Sequence, residues 1–314
     1  MRILFLGTPS FATIPLAALA ADGQFTIVGV VTQPDRSVGR SGVPQPPPVK
    51  RRAIELGLDA PILQPETLRD PAVAEQIAAL RPDVGVVAAY GEILRRDLLG
   101  IPSLGYLNIH PSLLPRHRGP GPVSGAILAG DDETGVTVML LEHKMDAGPI
   151  LAQLRRPLPP DARAGALTDA LFHQGSALLI DALPRYAAGA LTPVVQDEAQ
   201  ATYTSLLTRA DGNIDWTSGA AAIERMTRAY DPWPGATTTI GGQPLKIIAA
   251  AARPALPSAD PPGTLRAFGG GAAVSTGDGA LELLVVQPAG KRPMAAGDWY
   301  RGLRGTDGLR LGTA

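Results

Sequence analysis

Three apolar runs alternate with helix-type patterns in the N-terminal part of the chain. The runs cover Arg2–Gly7, Gln24–Thr32 and Asp83–Ala89. Continuous apolar runs of this length are typical of strands that are buried on both faces of a parallel sheet. Strands that alternate with helices join such a sheet through right-handed crossovers. The pattern therefore predicts an α/β fold with a Rossmann-like, mostly parallel sheet and helices on both faces.

The first turn of this fold lacks the glycines of a dinucleotide site. Gly7 is followed by Thr8-Pro-Ser10, where a Gly-x-Gly-x-x-Gly motif would continue with further glycines. Without those glycines the backbone cannot closely approach a pyrophosphate. A NAD-dependent oxidoreductase is therefore disfavoured.

A second region combines polar side chains with the end of a strand. The stretch Gly105–Gly119 begins as a short apolar strand and leaves the sheet at Pro111 and Pro115, because proline cannot continue a ladder. Side-chain alternation puts Asn108 and His110 on one face, near the carboxyl end where open α/β sheets bind ligands. Both side chains can donate a hydrogen bond to an oxygen that becomes negative during acyl transfer. The pair indicates acyl-transfer chemistry.

These residues resemble the signature of the formyltransferases that use 10-formyltetrahydrofolate. That signature is Asn-x-His, then Ser-Leu-Leu-Pro and, further along, an Asp; here the matching residues are Asn108, His110, Ser112–Pro115 and Asp146. Within the family the chain most resembles the members that formylate methionyl-tRNA. The resemblance implies a formyl transfer from 10-formyltetrahydrofolate to the amino group of initiator methionyl-tRNA, for translation initiation.

The resemblance also implies catalytic roles for Asn108, His110 and Asp146. Asn108 and a protonated His110 would stabilise the oxyanion. A predicted hairpin of the strands Gly135–Glu142 and Ile150–Arg156 would carry Asp146 towards His110, so that its carboxylate favours the imidazolium and relays the proton of the attacking amine. The folate pocket is expected at Ser112, Leu113, Leu114 and Pro115, together with Ala89, Tyr90 and Gly91.

A long loop at 33–48 is the expected contact with tRNA. Its glycine and proline content predicts that it has no regular structure, and loops of this length are commonly functional. In the family the corresponding loop inserts into the acceptor stem, and Arg40 matches its basic position, with Arg36 nearby. The lysines that often follow are Ser41, Gly42 and Val43 here.

The C-terminal part has short predicted strands separated by Gly/Pro turns, which predicts a small barrel. The family's second domain is an OB-like β-barrel that contacts tRNA. The motifs Ile214–Trp216, Tyr230–Gly235 and Gln287–Gly290 match it, whereas Leu206 stands where a lysine is common. We expect a catalytic domain at 1–189, a linker at 190–208 and the barrel at 209–314.

Composition excludes several other classes. The net charge of −1 argues against a surface that is basic throughout, so any RNA contact must be local. The chain has no cysteine, and its four histidines lack metal-ligand spacing, so no metal is expected. His117 and His143 are interpreted as solvated. No signal peptide or membrane span is recognisable, which predicts a cytoplasmic protein; we expect a monomer without an obligate protein partner.

Two other readings of the sequence stay open. The acceptor could be an amino-sugar nucleotide or glycinamide ribonucleotide, or the protein could hydrolyse formylfolate. The loop at 33–40 and the motifs at 228–235 and 284–290 favour tRNA. A NAD-dependent oxidoreductase or a non-catalytic RNA-binding module belongs to another class. The missing glycines argue against the former, and the complete set of Asn108, His110 and Asp146 argues against the latter.

Overall fold

A computed structural model of the chain describes residues 1–37, 42–256, 260–303 and 309–312. The chain divides into two compact units. The first comprises Met1–Pro122, Glu133–Pro157 and Thr168–Thr204, and the second comprises Val123–Asp132, Leu158–Leu167 and the chain from Ser205 onwards. The segment predicted as a linker is thus assigned mostly to the first unit; the predicted domain boundaries stay a prediction.

Nine strands occur among the described residues of the first unit. They are β1 (Arg2–Gly7), β2 (Thr26–Val31), β3 (Arg36–Ser37), β4 (Pro44–Gln45), β5 (Ile62–Leu63), β6 (Val84–Ala88), β7 (Tyr106–His110), β8 (Glu133–Leu140) and β9 (Ile150–Pro157). Seven of them form one sheet in the order β5-β2-β1-β6-β7-β8-β9, and β3 pairs with β4 separately.

Strand direction in the large sheet follows the connections. From β5 to β7 all neighbours are parallel, whereas β8 and β9 are antiparallel. The order reverses between β1 and β6, which is the switch point where ligands bind in such sheets. Every residue of β6 and β7 is buried, as expected for central strands. The prediction of an α/β fold with a mostly parallel sheet is confirmed.

Six α-helices occur among the described residues between Met1 and Gly189. They are α1 (Thr13–Ala21), α2 (Pro48–Glu55), α3 (Pro71–Ala79), α4 (Arg96–Leu99), α5 (Pro122–Ala129) and α6 (Ala164–Ala187). Local chemistry explains where α3 begins: the Asp70 side chain accepts a hydrogen bond from the Ala72 N–H at 2.9 Å, and Pro71 occupies the first helical position. The sequence at 163–188 has one long amphipathic pattern, which predicts a single helix, and α6 confirms this prediction; α4 was not predicted.

The second unit contains an antiparallel sheet. Its elements are α7 (Ala220–Ala229), β10 (Ala236–Ile240), β11 (Gln243–Arg253), β12 (Leu265–Phe268), β13 (Gly271–Ser275), β14 (Ala280–Pro288), β15 (Met294–Ala295) and α8 (Ala296–Arg301). The strand order is β10-β11-β14-β13-β12, with β15 beside β14. Helices α7 and α8 contact this sheet. The core includes Trp216, Ile223, Leu245, Leu281 and Trp299.

One sequence expectation is wrong in the loop at 33–48. Its glycines and prolines were expected to exclude regular structure, yet β3 and β4 form a short antiparallel pair within it. Proline is compatible with a strand this short, because Pro44 lies at the edge of a two-stranded ribbon where a missing N–H disrupts little. Residues 38–41, which include Arg40, lie outside the described residues.

In the described parts of the chain, no helix combines the length and the apolar character needed to cross a bilayer.

Close packing of α6 on β7 and β8 can be tested at Gly175. A Cβ placed there would lie 2.5 Å from the Ile109 Cγ2 and 2.7 Å from the Val136 Cγ2. Alanine favours a helix over glycine by about 1 kcal/mol, whereas overpacking a core costs about 1–3 kcal/mol. Both neighbours are β-branched and buried, so they cannot easily rotate away. We therefore expect Gly175→Ala to lower Tm in a thermal unfolding scan.

Gly23→Ala is the matched control, since a Cβ at Gly23 meets nothing within 4 Å. Its Tm should equal or slightly exceed that of the wild type. A Gly175→Ala protein as stable as this control would contradict the close helix–sheet contact.

Candidate active site

Strand β7 carries the two polar residues at the centre of the site. It pairs with β6 on one side, where Asn108 aligns with Val87, and with β8 on the other, where His110 aligns with Thr137. Asn108 is 9% exposed and His110 is 4% exposed. Since the two residues are separated by one position, their side chains share a face of the strand. The sheet therefore holds both at the carboxyl end of a rigid central strand.

A backbone carbonyl orients the His110 ring. The Nε2 atom lies 2.9 Å from the His117 carbonyl oxygen. Because a carbonyl oxygen only accepts, Nε2 must carry the proton and donate. Nδ1 is then the ring nitrogen that stays open to another partner. The burial of His117 corrects its interpretation as solvated, because the residue is only 8% exposed in the turn that follows β7. His143 is exposed, as expected.

Asp146 lies opposite the free nitrogen of His110. Its Oδ2 is 3.7 Å from the His110 Nδ1, and it accepts a hydrogen bond from the Gly119 N–H at 2.7 Å. The Asp146 carboxylate is largely buried, and it faces the ring nitrogen that does not contact the His117 carbonyl. Asp146 has a φ of 49°, a left-handed conformation that Asp tolerates better than most residues. The β8–β9 hairpin was predicted, and it brings Asp146 to His110.

The side chain of Asn108 is left available for a ligand. Within the described residues its amide makes no hydrogen bond, although the residue is nine-tenths buried. Because the residue keeps 9% of its surface exposed and its polar atoms are not shut off from solvent, a bound molecule can reach the amide. Its two N–H donors can serve an oxygen that binds beside His110.

The turn at 112–115 is held rigidly by its neighbours. The Ser112 hydroxyl donates to the Arg116 carbonyl at 2.8 Å, and the Thr137 hydroxyl donates to the Ser112 carbonyl at 2.7 Å. The Gln153 amide donates to the Leu114 carbonyl at 3.0 Å. Ser112 and Leu114 are buried, while Leu113 and Pro115 are half-buried. Of the predicted folate residues in this turn, Leu113 and Pro115 are the more accessible.

The end of β6 presents backbone rather than side chains. Ala89 and Gly91 are exposed and have positive φ, of 49° and 97°. A Cβ at Gly91 would meet no atom within 4 Å. The Tyr90 side chain points elsewhere: it is 2% exposed and belongs to a core cluster, while its carbonyl accepts a hydrogen bond from Thr8. Burial raises the pKa of Tyr90 to about 12, with a further contribution from Glu92, so the phenol stays neutral.

A buried arginine connects the site to the segment after α6. Arg118 has no exposed surface; its Nε and Nη2 donate to the Gln196 Oε1 at 3.1 and 2.9 Å. Its guanidinium also donates to Glu198 at 2.8 Å and to the Tyr203 hydroxyl at 3.0 Å. Gln196 in turn donates to the carbonyls of Asp146 and Gly148. The sequence patterns did not identify these residues.

Glu198 forms ion pairs with both the turn after β7 and the β8–β9 loop. Its carboxylate accepts hydrogen bonds from Arg118 at 2.8 Å and from Lys144 at 2.6 Å. These two contacts lower the pKa of Glu198 to about 2, and the hydrogen bond with Arg118 makes the larger contribution. Burial alone would lower the pKa of Arg118, but its hydrogen bonds with Glu198 and Tyr203 raise it overall.

The base of the predicted tRNA loop is anchored by a polar cluster. The Lys50 ammonium lies 2.9 Å from both Asp35 carboxylate oxygens and 2.7 Å from the Gln64 Oε1. Arg36 pairs with Glu66 at 3.2 Å, and both side chains are mostly exposed. Exposed pairs of this kind are weak, so Arg36 can exchange its partner for a phosphate.

No group of three or more His, Asp or Glu side chains with the arrangement of a metal site occurs in the part of the chain that the structure describes.

The acid dependence of stability tests the Glu198 contacts. A carboxyl whose pKa is about 2 in the folded state, against about 4.3 when unfolded, stabilises the fold above about pH 4.3 and loses this contribution towards pH 2. Glu198→Gln should therefore lower Tm at pH 6, and the difference from the wild type should shrink as the pH falls. Thermal unfolding at several pH values measures it.

Glu66→Gln serves as the control, because it removes an ion pair between two exposed side chains. It should change Tm little at any pH. A difference between Glu198→Gln and the wild type that is equal at pH 6 and near pH 3 would rule out the charge coupling.

Comparison with known proteins agrees with this geometry. The formyl transferase family model matches residues 1–183, and the model of the formyl transferase C-terminal domain matches residues 206–304. The methionyl-tRNA formyltransferase of Roseiflexus castenholzii is 64% identical over 312 residues, which is 99% of both chains.

Two solved structures share the fold at lower identity. The N-formyltransferase from Helicobacter canadensis, in complex with folinic acid and dTDP-3-aminofucose, has a TM-score of 0.66 at 17% identity, over 90% of this chain and 99% of that one. HypX from Aquifex aeolicus, in complex with tetrahydrofolic acid, has a TM-score of 0.60 at 18% identity; the match covers 96% of this chain and 48% of HypX. Both family models match the chain, and its 64% identity to the Roseiflexus enzyme extends over 99% of both chains. The chain therefore belongs to the formyltransferase family, within the group of methionyl-tRNA formyltransferases.

Proposed function

We propose that this protein transfers the formyl group of 10-formyltetrahydrofolate to the α-amino group of initiator methionyl-tRNA, which yields formylmethionyl-tRNA and tetrahydrofolate. The observation that carries the proposal is the Asn108 amide, which has no hydrogen-bond partner among the described residues, on the same strand face as a His110 ring that faces Asp146. The folate compounds bound by the HypX and Helicobacter enzymes support a folate-type donor. The name of the Roseiflexus relative supports methionyl-tRNA as the acceptor.

The carboxyl edge of the sheet has features that suit a folate. Accessible backbone at Ala89 and Gly91 lies at the end of β6, which is the parallel neighbour of the strand that carries Asn108. Backbone N–H and C=O groups can pair with the polar edge of a pterin ring, and the half-buried Leu113 offers apolar contact. The Tyr90 phenol is buried in the core, so Tyr90 would contribute its backbone alone.

The proposed reaction assigns a separate role to each catalytic residue. As the amine attacks the formyl carbon, the carbonyl oxygen gains negative charge, and the Asn108 amide and the His110 imidazolium donate hydrogen bonds to it. The bond from the formyl carbon to N10 of the folate then breaks. The amine loses one proton and N10 gains one. Asp146, 3.7 Å from the His110 Nδ1, accepts the amine proton directly or through water.

The chief rival keeps this chemistry and changes the acceptor to an amino-sugar nucleotide. The Helicobacter structure carries such a ligand, but at 17% identity it supports the shared fold and not a shared acceptor. The relative at 64% identity is a stronger guide. We therefore favour tRNA as the acceptor. As a separate proposal, the protein works as a monomer in the cytoplasm.

We also propose that the second unit is an OB-like barrel that contacts tRNA. Its sheet runs openly from β10 to β12, but the segment Leu309–Gly312 makes backbone hydrogen bonds towards both edges. The Leu265 N–H donates to Leu309, and the Gly312 N–H donates to Thr239. Bridging of both edges by one segment supports a barrel-like closure.

Removal of either oxyanion donor tests the chemistry. Asn108→Ala and His110→Ala should each lower kcat by about 10²–10³-fold, as is typical for the loss of one preorganised donor. The measurement is the rate of formylation of methionyl-tRNA with 10-formyltetrahydrofolate, on variants whose thermal unfolding matches the wild type. His143→Ala, which removes an exposed histidine near Asp146, is the control and should keep normal turnover. Normal turnover in folded Asn108→Ala and His110→Ala would refute these roles.

Recognition of the acceptor can be tested at Arg36 and Arg40. Each is replaced by Ala; Arg52→Ala on α2 is the control, because it removes the same charge from a partly exposed position outside the loop. If the loop binds acceptor-stem phosphates, Arg36→Ala and Arg40→Ala should raise KM for tRNA and reduce its salt dependence, while KM for the folate stays constant. Equal effects in all three variants would show that net charge alone matters, and would favour a different acceptor site.

A further inference from the structure

Gln196 occupies an unusual position between two loops of the site. It lies in the segment after α6 that resembled a linker in sequence, yet it is 6% exposed. Its Nε2 is 2.9 Å from the Asp146 carbonyl oxygen and 2.7 Å from the Gly148 carbonyl oxygen. Its Oε1 faces the Arg118 guanidinium. One side chain thus connects the Asp146 loop to the turn that follows β7.

The chemistry of these partners allows one orientation of the amide. Carbonyl oxygens only accept hydrogen bonds, and a guanidinium only donates them. The Gln196 oxygen must therefore face Arg118, and its NH₂ must face the two carbonyls. Both donors of the amide are used, and its oxygen accepts twice from Arg118. A Glu at this position could still accept from Arg118 but could not donate to the loop.

The surroundings of Asp146 show why such support matters. The residues before it, 142–145, are exposed, and Asp146 itself adopts the sparsely populated left-handed conformation. Its carboxylate is held by the Gly119 N–H, next to Arg118 in the chain. Its carbonyl is held by Gln196. Arg118 and Gln196 together therefore determine where the carboxylate lies relative to His110.

We propose that Gln196, anchored by Arg118, is a positioning residue for the formyl transfer: it fixes the Asp146 loop so that the carboxylate stays opposite the His110 Nδ1. The inference rests on the proposed function and deepens it. Gln196 acts through Asp146 and not on the substrate. A displacement of about 1 Å in a reacting group can lower the rate by about 10²-fold, so a loosened loop would slow the reaction without preventing folate binding.

The decisive variant is Gln196→Glu, which keeps the acceptor for Arg118 and removes both donors to the loop. We expect kcat to fall by about 10²-fold while KM for 10-formyltetrahydrofolate stays near the wild-type value. Gln196→Met also removes both donors but introduces no charge. It keeps the test valid if the new carboxylate of Gln196→Glu prevents folding. Gln200→Ala is the matched control: its side chain lies in the same segment and bonds to Asp197, and the variant should behave as the wild type.

A double-variant cycle with Asp146→Asn separates positioning from general stability. If Gln196 acts through Asp146, the double variant should be no slower than Asp146→Asn alone. Independent, multiplicative losses would overturn the proposal, as would wild-type kcat in folded Gln196→Glu or Gln196→Met. The ring-nitrogen NMR signals of His110 should also shift in both Gln196 variants and stay unchanged in Gln200→Ala.

A failure of the Gln196 inference can be distinguished from a failure of the proposed function. If the wild type does not formylate methionyl-tRNA, the proposed function fails. The His110 signals need no substrate, so they still test whether Gln196 controls the geometry around His110. Unchanged signals in the Gln196 variants would overturn the inference by themselves.

Discussion

The first unit depends on the burial of one charge. The Arg118 guanidinium has no exposed surface, and a cation in that position costs several kcal/mol unless its hydrogen bonds are completed. Gln196, Glu198 and Tyr203 supply those bonds, so the segment after α6 must close over Arg118 when the unit folds. Since the same Gln196 amide holds the Asp146 loop, the side chain that completes the hydrogen bonds of Arg118 also shapes the site.

Around this support the site is organised by backbone as much as by side chains. The His117 carbonyl sets the His110 ring, the Gly119 N–H holds the Asp146 carboxylate, and the end of β6 presents accessible backbone at Gly91. Backbone groups on a rigid sheet and a tightly bonded turn move little, which suits the stabilisation of a developing charge without reorganisation. Asn108 is the exception, because its donors find no partner among the described residues.

Much of the fold was readable from the sequence because it is encoded locally. Apolar runs predicted β1, β2 and β6, and the long amphipathic pattern predicted α6. Prolines marked the exit from β7 at Pro111. Short elements such as α4 were missed. Its four residues are too few to show the periodic spacing of apolar residues that identifies a helix. The glycine and proline content of the loop argued against any strand there. Composition averages over the whole loop, so it does not reveal a strand pair of two residues each.

The sequence by itself determined which residues are candidates, because the motif that resembles the family contains Asn108, His110 and Asp146. The apolar pattern and its alternation also determined that Asn108 and His110 share one face of a strand. Only the tertiary structure decided how His110 is oriented, which nitrogen faces Asp146, and that Gln196 joins the loops. The His117 contact uses a carbonyl that every residue possesses, so no residue type could signal it. Gln196 lies 50 positions from Asp146, in a segment without a pattern, and only the tertiary structure brings it between Asp146 and the Arg118 guanidinium.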